Sequence, residues 1–144
     1  MKIDDALDTI ESRRYLAISC NSSLNEVAER IRTERQIRGI YVLDEEGRLK
    51  GYLSLGVLIR NVMPSRHKPL FHLRSMLDQV SSETVADIME TNIIFARKND
   101  LVENVLDWMA DQNIKEIPIV DNDKRIIAVV NILDLWWLLV KPQK

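Results

Sequence analysis

The sequence predicts an α+β fold built from one unit used twice. Three observations lead there: two stretches superpose at a constant offset, each couples a helical apolar period to two β-branched runs, and each closes on a short second helix. At an offset of 77 positions, "SLNEVAERIRTERQIRGIYVLDEEGRLKGYLSLGVL" (23–58) lies over "DLVENVLDWMADQNIKEIPIVDNDKRIIAVVNILDL" (100–135) without a gap. Leu24 meets Leu101, Glu26 meets Glu103, Ile37 meets Ile114, Ile40 meets Ile117, Asp44 meets Asp121, Arg48 meets Arg125 and Leu58 meets Leu135. Identities this sparse carry weight because the elements also agree in kind and order.

Each copy opens on a short extended run, "RYLAIS" (14–19) and "NIIFAR" (92–97). A polar break and a helix-start signal follow: Ser23 with Glu26 reads as a capping box and Asp100 with Glu103 as its relative. Apolar residues then recur at Leu24, Val27, Ala28 and Ile31, and at Leu101, Val105, Trp108 and Met109, one face of an amphipathic helix in each copy. Two β-branched runs separated by turn-forming residues come next, "IYVLD", "EEGR", "LKGYLSL" and "IPIVD", "NDK", "RIIAVVNI", which read as hairpins. "GVLIRNVM" and "LDLWWLLV" close the copies as helices. The order is β-α-β-β-α, twice, with repeat one at 1–64, a connecting segment at 65–83 and repeat two at 84–144.

A half of about 50 residues buries little apolar surface by itself. The two copies are therefore expected to pack through their sheets as pseudo-twofold partners, leaving two related clefts where strand-end polar groups could meet a ligand.

Composition narrows the function classes. The 144 residues are 46% hydrophobic and 29% charged, with four Gly and four Pro, as in a globular chain. A formal charge of −2 offers no general attraction to phosphodiester backbones or anionic lipid, which argues against a nucleic-acid partner. Cys20 is the sole cysteine, so no internal disulfide forms, and the N-terminus shows no apolar signal segment; the cytoplasm is the expected compartment. The most apolar run, "IIAVVNILDLWWLLV" (126–140), is interrupted by Asn131 and Asp134 and is shorter than the roughly 20 residues a spanning helix needs, so membrane insertion is not expected. No Gly-rich phosphate loop, metal-ligand spacing or activated nucleophile marks an enzyme.

Taken together, "TVADIM", "NIKEIPIVDNDKRIIAVVNILDL" and "QIRGIYVLDEEGRLKGYLSLGVL" resemble the tandem cystathionine-β-synthase-type (CBS) domain pair, or Bateman module, over nearly the whole chain. The resemblance implies a regulatory module that binds an adenosine-containing ligand, AMP, ADP, ATP or S-adenosylmethionine, between its copies and has no resident cofactor. Other members bind Mg2+, and others no ligand. A divalent-cation sensor and a ligand-free dimerisation or interaction module are therefore the alternatives.

The family's signature of Gly, Ser or Thr, and Asp at three-residue spacing falls on Ala128, Asn131 and Asp134 in copy two and on Gly51, Ser54 and Val57 in copy one. By resemblance, Asp134 takes the ribose hydroxyls, with Asn131 and Ser54 as phosphate-side helpers. Because Val57 lacks the acid, copy one's slot is expected to be weak, empty or altered in ligand. A first-turn carboxylate also suits a helix N-terminus, so Asp134 reads equally as an N-cap, and Asn131 as a turn residue. Arg38 and Lys115 occupy equivalent positions and are the implied phosphate donors, although cations after a helix also complement its dipole. Asn92, Ile93, Ile117, Pro118 and Val130 are the implied adenine contacts.

Trp136 and Trp137 are adjacent, so on a helix they point about 100° apart. One is expected to pack inward and the other to mark a homodimer surface on the terminal helices. The segment 60–74 holds Arg60, Arg66, Lys68 and Arg74 with His67 and His72 and no acid; it reads as a solvated connection, or as a contact for a partner's acidic surface or a phosphate. The sequence names no regulated protein.

Overall fold

The computed structural model describes residues 1–34, 39–62 and 84–140. Arg38, the connecting segment and its two histidines lie outside them. The chain forms two compact units, one of Tyr15–Ile93 and the other of Met1–Arg14 with Ile94–Lys144. Each contains a three-stranded sheet of the same order and sense.

In the first unit, β1 (Leu16–Ser19) pairs in parallel with β2 (Ile40–Leu43), which pairs antiparallel with β3 (Leu49–Leu53). The amphipathic helix α2 (Leu24–Thr33) provides the crossover, and α3 (Leu55–Val62) follows β3 directly. In the second unit, β4 (Ala96–Arg97) runs parallel to β5 (Glu116–Val120), which is antiparallel to β6 (Ile126–Asn131). Helix α5 (Val102–Asp111) is its crossover and α6 (Ile132–Val140) its closing helix. The expected β-α-β-β-α order is thus present in both copies.

The repetition reaches individual atoms. The β2–β3 register shifts between Val42 and Leu43, and the β5–β6 register shifts at the equivalent Ile119 and Val120. Asp44 Oδ1 accepts the N–H groups of Glu46 and Arg48, both at 2.9 Å; Asp121 Oδ1 accepts those of Asp123 and Arg125 at the same distance. These side-chain-closed turns need one left-handed residue each. Gly47 supplies it in copy one at φ 81°, and Lys124 adopts it in copy two at φ 66°.

Two short helices extend the expected pattern: α1 (Ile3–Leu7) and α4 (Val85–Ile88), each preceding a first strand. Both sit in the unit of the other repeat. Ile3 and Ala6 are buried with Val105, Met109, Ile117 and Leu135 of the second unit, and Val85 is buried with Leu24, Val27 and Ile40 of the first. Main-chain bonds accompany this: the Ile3 N–H donates to Asp100 O at 2.8 Å, and the Val85 N–H to Ser22 O at 2.9 Å. The compact units are therefore not divided at the sequence repeat boundary, because each takes in the segment that leads the other copy.

Several local expectations shift. The first strands are shorter than 14–19 and 92–97, leaving Arg14, Tyr15 and residues 92–95 outside the ladders. Ser23 does cap α2, its Oγ accepting the Glu26 N–H at 3.2 Å. Asp100 does not cap α5; its Oδ2 accepts the Arg97 N–H at 2.7 Å, closing the preceding turn, and the helix starts at Val102. The core face of α5 accordingly comprises Val102, Val105 and Met109, while Leu101 and Trp108 are exposed. On α6 the inward residue is Leu135, with Ile132 and Leu138 half-buried at helical spacing. That phase leaves both tryptophans outside, Trp136 at 51% and Trp137 at 57% exposure, correcting the expectation that one packs inward.

A candidate ligand site at a strand-to-helix corner

Strand β6 ends at Asn131 and α6 begins at the next residue, so the chain turns from sheet to helix in one step. Two bonds hold this corner. Asn131 Oδ1 accepts the Leu133 N–H at 2.8 Å, the bond of an N-cap side chain, and the Ile132 N–H donates to Lys115 O at 2.8 Å. Of the two roles open to the polar pair, the cap belongs to Asn131. Its amide NH2 group remains as a donor.

Asp134 is then a first-turn carboxylate with no backbone duty, in the positive field of the helix N-terminus. Its Oδ2 accepts two hydrogen bonds from one guanidinium, Arg13 Nε at 3.2 Å and Nη2 at 2.9 Å. Arg13 is placed by main chain rather than by chance. Its N–H donates to Val129 O at 2.8 Å, and the Val129 N–H donates to Ser12 Oγ at 3.0 Å, so the leading segment docks along the edge of β6. The side chains remain 50% and 33% exposed, which limits such an ion pair to about 0–1 kcal/mol. The pair is therefore displaceable. Arg13 was not among the residues singled out from the sequence.

Copy one repeats the corner but not its chemistry. Ser54 Oγ accepts the Val57 N–H at 3.2 Å, capping α3 as Asn131 caps α6. Val57 is packed against the first unit's core where copy two holds Asp134. At the Arg13 offset stands Glu90, whose N–H and carbonyl both bond Tyr52 at 2.8 Å, mirroring the Arg13–Val129 pairing. The signature Gly51 answers to this docking: a Cβ there would lie 2.5 Å from Met89 Sδ and 3.0 Å from Glu90 O. Its smallness admits the leading strand.

The remaining expected residues divide. Lys115 is exposed at the same corner, its carbonyl already holding α6. Ile117 and Val130 face each other across β5 and β6 with 0% exposure, inside the core, which leaves their side chains no surface for an adenine ring. Pro118 is buried on the opposite face. Asn92 is exposed and Ile93 half-buried, outside any strand and in the first compact unit rather than with Asp134. Among the described residues no group of three or more His, Cys, Asp or Glu is arranged to hold a metal, and no helix is long and apolar enough to cross a membrane.

Duplicated β-α-β-β-α units with a capped strand-to-helix corner in each define a class, and the match is direct: the chain belongs to the CBS domain family, whose model covers residues 2–64 and 85–135. Among individual relatives it is similar to the magnesium transporter MgtE of Thermus thermophilus, with 29% identity over 136 residues, 92% of this chain and 26% of the transporter. It also resembles the carnitine transport ATP-binding protein OpuCA of Listeria monocytogenes, with 24% identity over 80% of this chain and 24% of that protein. The chain thus spans about a quarter of the length of these curated relatives. The crystal structure of the cytosolic domain of the Mg2+ channel MgtE in complex with ATP matches with a TM-score of 0.67 at 29% identity, over 86% of this chain and 44% of that one. CBSX2 of Arabidopsis thaliana, solved in complex with AMP, shares the fold at a TM-score of 0.69 and 16% identity, over 97% and 96% of the two chains.

Proposed function

We propose that the chain is a regulatory module that binds an adenosine-containing ligand, AMP, ADP, ATP or S-adenosylmethionine, at the β6–α6 corner, with no catalysis of its own. The observation that carries this reading is Asp134: a carboxylate relieved of capping by Asn131, set in the first helical turn, and engaged among the described residues only by a half-exposed, displaceable arginine. A carboxylate so placed accepts hydrogen bonds from a ribose diol, and neighbouring donors on Asn131 and Lys115 suit a phosphate. The ATP complex of the 29%-identical MgtE domain supports the ligand class. Copy one, with Val57 at the equivalent position, is not the principal site; Ser54 there is spent on its cap. Of the expected adenine contacts, Pro118 and the main chain beside Ile117 and Val130 stay in the proposal for this corner; Asn92 and Ile93 belong to the other compact unit and are not assigned to it. Arg38 remains a phosphate candidate outside the described residues.

Occupancy would be transmitted by differential binding, the ligand favouring one arrangement of the module or its assembly. A homodimer is the form of assembly favoured by α6, whose outer stripe of Leu133, Trp136, Trp137 and Val140 is exposed at i, i+3, i+4 and i+7. The module acts on a protein partner in the cytoplasm, with neither nucleic acid nor membrane insertion in its own task.

Thermal-shift screening with AMP, ADP, ATP, S-adenosylmethionine and Mg2+ tests the reading, since a native-state ligand raises Tm by mass action. A shift with an adenosine compound that is lost in Asp134→Ala supports it. A shift with Mg2+ alone points to the cation sensor, and none with any compound to the ligand-free module.

A further inference from the structure

The Arg13–Asp134 pair raises a question of charge. Among the described residues, Asp134 Oδ2 is taken by two Arg13 donors while Oδ1 has no protein partner. A diol that bonds the carboxylate side-on, one hydroxyl to each oxygen, competes with Arg13 for Oδ2 and draws it away. The released guanidinium cannot travel far, because its own main chain is held to Val129 at 2.8 Å.

We infer that Arg13 is the specificity-determining residue of this site: the internal occupant of Asp134 in the free protein, and the selector of an anionic ligand once displaced. This rests on the adenosine reading above. A nucleotide replaces what Arg13 loses by giving it a phosphate. Neutral adenosine leaves the cation without a partner, and S-adenosylmethionine adds a sulfonium charge beside it. Copy one supplies an internal contrast, since Glu90 and Val57 stand at the positions of Arg13 and Asp134. That corner has the wrong sign at this position to favour phosphate and no acid to hold a ribose, so of the two corners described the phosphate-selective arrangement belongs to that of copy two.

The test is calorimetric titration of the whole chain with adenosine, AMP and S-adenosylmethionine, for the wild type, Arg13→Ala and Arg13→Gln, with circular dichroism to verify folding. Gln keeps part of the stem and the main-chain docking while removing the charge. Wild type is expected to prefer AMP to adenosine. Both variants should lower that preference about ten-fold, the worth of one charge-assisted hydrogen bond. They should also tighten adenosine by up to about five-fold, because a weak surface ion pair no longer competes for Asp134. Unchanged AMP-to-adenosine preference in folded variants that still bind AMP overturns the role of Arg13 and leaves the site reading standing. Failure of every adenosine compound to bind wild type and both variants overturns the site reading, and Arg13 with it.

Discussion

Ile3→Ala tests the least expected feature of the fold, the placing of the chain's first residues in the unit of the second repeat. Ile3 has 0% exposure and packs in the cluster that contains Val105, Met109, Ile117 and Leu135, although it precedes them by about a hundred positions. Truncation removes three buried carbons and leaves a cavity among residues on β5, α5 and α6 that the sheet prevents from collapsing fully. The expected cost is about 2–5 kcal/mol. At about 2–4 °C per kcal/mol for a chain of this size, Tm should fall by roughly 4–20 °C. Urea denaturation followed by circular dichroism gives the magnitude, and amide exchange gives the location: α5, β5 and β6 should lose protection before β1–β3. A loss below about 0.5 kcal/mol, the range of an ordinary surface substitution, or faster exchange confined to residues 15–62, would refute the placement.

Three further outcomes follow from single interactions. Asn131→Ala should cost about 0.5–2 kcal/mol through loss of the α6 cap, with Asn131→Asp recovering most of it in denaturant melts. Asp44 is held below the ordinary carboxylate value near 3.8, first by the Arg48 N–H; desolvation, the next largest influence, opposes this, and the Glu46 N–H and the Arg48 charge lower it further. A depressed folded-state pKa stabilises above the unfolded value and loses that contribution as pH falls through the folded one. Asp44→Asn should therefore flatten the stability decline below about pH 4 in urea melts stepped from pH 5 to 2, and an unchanged acid limb would contradict the assignment. Replacing both Trp136 and Trp137 by Ser should shift the chain toward monomer in sedimentation analysis while leaving unfolding within about 1 kcal/mol, since neither side chain is in the core.

The repeat was legible because it is written in local chemistry. Alternation and β-branching mark the hairpins, and the Asp44–Arg48 and Asp121–Arg125 spacings mark two identical turns. What escaped was non-local. Arg13 and Asp134 are 121 positions apart, and neither residue type reveals the other. The clue lay in extending the 77-residue offset backwards, which pairs Arg13 with Glu90 and aligns the two docked leading segments. The resemblance implies adenine contacts at Ile117 and Val130, and period-two alternation does not correct it, because it identifies two faces of a strand without saying which meets the helices. The same ambiguity decided the tryptophans: an apolar residue at nearly every position of α6 conceals its phase, and Leu135 took the core.

Titration calorimetry of ATP and AMP into wild type and Asp134→Ala tests the central claim most directly. Removal of this half-exposed carboxylate should leave stability within about 1 kcal/mol. The account expects one nucleotide per chain in the wild type and at least a ten-fold loss of affinity in a variant that still folds. Equal affinity in the two proteins, or no binding of either nucleotide to the wild type, would contradict it.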